Sequence, residues 1–150
     1  MASKPRIVYI LVLLWVVLSA IFVMWGWFSL YIISILPQWL EPLQKLLPQV
    51  YFGYMVSTIV WFVFSSLFVI IAYGTFRKDK WVWTTSIIIS TIFLVVFGLM
   101  LAAFMVNALM FQDWFSIYGL ISVILSMLID LGIVFFLTRP NTKIFFEVEV

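Results

Sequence analysis

The stretch "FVIIAYGTFRKDKWVWTTSIII", residues 68–89, sets two apolar runs on either side of a short polar turn, Arg77-Lys78-Asp79-Lys80. The runs continue outward over residues 51–76 and 81–111, each longer than the about 20 residues that cross a bilayer as an α-helix. A β-barrel would need strands of about 10 residues with apolar and polar side chains alternating, and no such alternation appears here. The stretch therefore reads as a helical hairpin in which two antiparallel spans share one tight turn.

Two further apolar runs, residues 7–34 and 115–138, bring the expected spans to four. The composition agrees, with 67% hydrophobic residues, 9% charged residues and a mean hydropathy of +1.27, far from the range of soluble domains. Four spans use most of 150 residues, so a single all-α transmembrane domain is expected. The first run follows Lys4 and Arg6 and exceeds 25 apolar residues, whereas a cleavable signal has an apolar region of about 7–15, so it is expected to be retained as a signal anchor. The chain contains no Cys and no His, which removes disulfides, thiolate and imidazole nucleophiles, and the usual zinc and haem ligand sets. No catalytic, cofactor-binding or metal site is expected. A net charge of +2 gives no argument for nucleic acid.

The basic residues set the orientation. Lys4, Arg6, Arg77, Lys78, Lys80, Arg139 and Lys143 fall on one face of a four-span chain, and Lys45 alone falls on the other. By the positive-inside rule both termini are cytoplasmic. Trp25, Trp27, Tyr31, Tyr54 and Tyr118 then lie near the outer boundary, and Tyr73, Trp81 and Trp83 near the inner one, as interfacial aromatics do. Between spans one and two, residues 37–50 place Trp39, Leu40, Leu43, Leu46, Leu47 and Val50 at helical spacing. With Pro42 after Glu41 and Pro48 as a stop, this predicts a short amphipathic interfacial helix, either a connector or a lid over the bundle. The tail, residues 139–150, alternates Phe146, Val148 and Val150 with Glu147 and Glu149, a strand-like pattern that could also simply rest at the interface.

One residue in the spans could carry chemistry. Asp130 is the only charged side chain in the four apolar runs, and it lies nine residues before Arg139, about 13 Å deep in a hydrocarbon core about 30 Å thick. Gly119, Ser122, Ser126 and Asp130 recur at spacings of three and four, so they share one helical face, and small residues on that face favour close packing. Trp15, Ser66 and Ser90 fall at comparable depth on the other spans, which predicts an intramembrane polar layer of Asp130, Ser126, Ser122, Trp15, Ser66 and Ser90. An ionised carboxylate at that depth costs about 2.5–3.5 kcal/mol on insertion scales. Asp130 must then be protonated and hydrogen-bonded across helices, bind a proton or cation, or face a Lys or Arg of another subunit. Asn107 is expected to hydrogen-bond between helices.

The stretches "AYGTFRKDKWVW", residues 72–83, and "FFLTRPNTKIFF", residues 135–146, resemble small four-span membrane proteins common in archaea and some bacteria. In that family the second span closes on a small-aromatic-Gly pattern, a basic turn with paired Trp follows, and the last span ends in Arg-Pro and a Lys before aromatics. An Asn near Asp130 and a Val at Thr142 are usual there, so this chain departs at both places. The family carries no established activity, and the resemblance implies no catalytic residue.

These readings converge on a non-enzymatic protein of the cell membrane, an accessory or scaffold subunit whose partners are the bilayer and other membrane subunits or itself. The alternative is a small proton or cation transporter that uses Asp130.

Overall fold

The computed structural model describes residues 6–39, 47–111 and 114–147. Four long helices account for nearly all of them: α1 (Arg6–Trp39), α2 (Leu47–Arg77), α3 (Lys80–Phe111) and α4 (Trp114–Leu137), followed by the short α5 (Pro140–Phe145). Each long helix contains a segment long and apolar enough to cross a membrane, so the protein is an all-α, multi-pass membrane protein. Residues 40–46, the centre of the expected interfacial helix, lie outside the described residues. Pro48 occupies the first turn of α2, where the N–H it lacks would have had no helical partner.

The α2–α3 turn closes with two nested hydrogen bonds, Asp79 N–H to Gly74 O at 3.1 Å and Lys78 N–H to Thr75 O at 3.3 Å. This is the Schellman arrangement, and it places Lys78 in the left-handed region at φ 69° where glycine is usual. The hairpin closes tightly at Gly74, where an added Cβ would lie 2.5 Å from a Val82 methyl.

Two of the three consecutive helix pairs pack closely, and the third does not. Helix α1 packs along α2, α3 along α4, and α1 against α4, whereas α2 and α3 touch little beyond their turn except through large rings. Phe93 of α3 reaches Phe64 and Phe68 of α2 at ring-centroid distances of 4.9 and 5.2 Å. Phe22 of α1 is the hub of this aromatic core, meeting Phe68 at 5.0 Å, Trp61 at 5.2 Å and Phe93 at 5.4 Å, all nearly edge to face. In lipid the apolar medium surrounds the folded and separated helices alike, so packing of this kind, about 0.5–1.5 kcal/mol per aromatic pair, holds helices together. Small residues make room for the rings: a Cβ on Gly119 of α4 would run into the Phe104 ring of α3.

The described part of the tail precedes most of the alternating segment. Residues 140–145 are helical, because Pro140 presets the first helical turn and holds Arg139 extended at φ −66°, ψ 140°. The alternation that suggested a strand starts only at Phe146, and residues 148–150 lie outside the described ones. Phe146 is buried and accepts no solvent, Thr142 Oγ1 donates to Phe136 O at 2.7 Å, and Lys78 sits over the Phe145 ring at 5.7 Å. Glu147 closes the arrangement with ion pairs to Lys78 at 2.9 Å and Lys80 at 2.8 Å, so the tail is tied to the α2–α3 turn.

Candidate functional site: a buried polar cluster

Hydroxyl groups in the spans follow one default. Thr58, Ser66, Thr75, Thr91 and Ser126 each donate to the carbonyl four residues earlier, which satisfies the side chain within its own helix. Ser86 and Ser90 of α3 do not. They are four residues apart and so share a face, both are fully buried, and neither hydroxyl has a hydrogen-bond partner.

Asp130 of α4 is in the same condition. Its side chain is inaccessible, and both carboxyl oxygens lack a hydrogen-bond partner. Ser90 is the side chain that approaches the carboxyl, although the two fall short of hydrogen-bond geometry. On α1, Trp15 is equally buried, its ring lies 5.4 Å from that of Phe68, and its indole N–H is unpaired. Leu14, beside Trp15, comes within 3.7 Å of a Cβ built on Gly132, so α1 and α4 are in contact next to the acid. Counted from the basic residue at each span's end, Trp15, Ser90 and Asp130 lie at about 13–15 Å depth and Ser86 at about 9 Å.

The remaining residues of the expected layer are employed elsewhere. Ser122 accepts a hydrogen bond from Trp25 Nε1 at 2.8 Å, and Ser126 donates to Ser122 O at 2.9 Å, forming a satisfied α1–α4 station about one to two turns from Asp130. Ser66 turns outward and bonds Phe62 O within α2. Its neighbour Ser65 faces inward, where Ser19 Oγ of α1 meets Ser65 O at 3.0 Å and Ser65 Oγ at 2.8 Å. The layer is thus resolved into paired stations and one unpaired cluster. Ser86, Ser19, Ser65 and Trp25 were not among the expected residues. The spacing of four between Ser86 and Ser90 was the available signal for the first. The side chain of Asn107 lies outside the described residues.

No family model, curated protein or solved structure matches this chain. Its chemistry must be read from the cluster itself.

Five polar atoms from three helices therefore lack protein partners: Trp15 Nε1, Ser86 Oγ, Ser90 Oγ and both oxygens of Asp130. Buried polar atoms are almost always paired, and a buried hydroxyl or amide left unpaired costs about 1–3 kcal/mol. Among the described residues no group of three or more His, Cys, Asp or Glu could hold a metal ion. The cluster has one acid, one obligate donor and two hydroxyls that can donate or accept, a set suited to a proton and a small neutral polar molecule. A separate groove of about 620 Å³ runs between α1 and α4 further along the bundle, lined by Met24, Phe28, Tyr118, Gly119 and Leu125 with the Trp25–Ser122 pair in its wall. Its lining is almost wholly apolar, and Asp130 takes no part in it.

Proposed function

We propose that this multi-pass membrane protein is a non-enzymatic accessory or scaffold subunit of a larger assembly in the cell membrane, with both termini cytoplasmic. The observation that supports this reading is the outer face of α3. Only 17% of its spanning segment is buried in the bundle, the lowest share of the four, and Ile88, Ile92, Val95, Leu99 and Val106 form an exposed row along it. Spacings of four, three, four and seven in this row present the side chains as a seam of the kind that packs against another helix. Purification in mild detergent from the native host tests the reading. A protein subunit is expected in constant ratio with the wild type and is lost from a Val95→Trp variant that retains its helical content. A wild type that purifies alone contradicts it.

A second reading, proton transport through Asp130, is supported by the unpaired cluster, because isolated acids within spans mark proton paths. Proton flux in liposomes that disappears in Asp130→Asn would favour transport over the scaffold.

A further inference from the structure

The unpaired cluster supports a conclusion independent of either reading. We propose that Trp15, Ser86, Ser90 and Asp130 form a mid-membrane site that holds a proton on Asp130 and an ordered water among the four side chains.

Three observations carry it. First, the hydroxyls of Ser86 and Ser90 forgo the carbonyl that Thr91, Ser66 and Ser126 use, so they are directed between helices. Second, the sequence supplies no countercharge: apart from Asp130, the four apolar runs contain no Asp, Glu, Lys, Arg or His. Trp15 itself belongs to a buried apolar core that draws Leu11 and Leu18 from α1, Phe68 and Ile71 from α2, Phe93 from α3 and Ile133 from α4. A carboxylate there would stand alone in a medium that disfavours isolated charge, whereas a carboxylic acid needs only hydrogen-bond partners. Third, the partner inventory closes around water. The acid offers one O–H and one acceptor oxygen, Trp15 one N–H, and each serine one donor and acceptor, and a buried water requires two to four such partners.

A metal ion fits less well. Calcium takes about six to eight oxygen ligands, and magnesium demands an octahedral shell. Sodium sites in transporters draw on backbone carbonyls freed where a helix unwinds. Here α1, α3 and α4 run without interruption past the cluster, so their carbonyls stay engaged, and the side chains offer at most the two Asp130 oxygens and two hydroxyls.

Infrared difference spectroscopy of the full chain in nanodiscs tests the proposal. At neutral pH the wild type is expected to show a carboxylic C=O band that shifts in D₂O, is absent from Asp130→Asn, and is unaffected when sodium replaces choline as the buffer cation. Ser90→Ala and Trp15→Phe keep the acid, so they remain informative if Asp130→Asn fails to fold. At least one of them should move the C=O band, and exchange into H₂¹⁸O should shift a sharp water O–H band that Ser90→Ala weakens. Absence of the C=O band at neutral pH would overturn the proton assignment, and its loss on adding sodium would identify a cation site instead. A C=O band unmoved by both variants, or the lack of any ¹⁸O-sensitive water band, would overturn the hydrated site.

Discussion

At the scale of single residues, the bundle separates polar side chains that hold helices together from those that do not. Ser19 and Ser65 tie α1 to α2, and Trp25 and Ser122 tie α1 to α4. Such bonds are worth about 0.6 kcal/mol on average in membranes, since a separated helix also finds partners for its polar groups. Ser19→Ala is therefore expected to lower stability by about that amount, measured as a shift of the unfolding midpoint in a denaturing-detergent titration. A loss several times larger would mean that the pair has a role beyond the helix contact. Sequence depth placed Asp130, Trp15 and Ser90 at one level, and they are all buried there. It took Ser66 where Ser65 is the one that faces inward, because adjacent residues have nearly the same depth and only the rotation of α2 about its axis separates them. That rotation is set by aromatic packing around Phe22 and Phe68, a property of the assembled helices rather than of the α2 sequence.

At the scale of elements, the hairpin and the tail carry the sharpest expectations. Gly74 approaches Val82 so closely that a methyl group would press on a short, buried, β-branched side chain with little freedom to move. Gly74→Ala should cost about 1–3 kcal/mol, as overpacking does, and a Val82→Ala second change should restore most of it. The same titration in both variants measures this. The tail adds a pH dependence. Hydrogen bonds from Lys80 and Lys78, with their charges, lower the Glu147 pKa from the ordinary 4.5 to about 2. Because the folded-state value lies below the ordinary one, the contribution of Glu147 to tail docking is complete above about pH 4.5 and is lost as pH falls towards 2. The protection of α5 amides against hydrogen exchange, taken relative to the intrinsic rate at each pH, is expected to fall across that window, and to fall above about pH 4.5 when salt screens these exposed pairs. Glu147→Gln should remove the pH step, and a step that persists in this variant would assign it to another group. The tight turn was legible in Arg77-Lys78-Asp79-Lys80, whereas the docking of the tail was not, since it depends on Phe145 and Glu147 meeting a turn about 70 residues earlier in the chain.

At the scale of the whole molecule, continuous apolar length was sufficient to reveal four helices, because a bilayer leaves few other ways to satisfy the backbone. The order in which they pack was not legible. Helical spans that are apolar on all sides carry little sign of which face meets which neighbour, and only α4 offered a small-residue stripe. The proposed placement of the tail and the basic turn together in the cytoplasm rests on the distribution of Lys and Arg. The chain contains no Cys, so single introduced cysteines report position without background. The decisive measurement is labelling of Asn141→Cys and Lys45→Cys in intact cells with a membrane-impermeant maleimide. Labelling at position 45 alone, with position 141 reacting only after the membrane is opened, is the predicted result; labelling at position 141 in intact cells would contradict it.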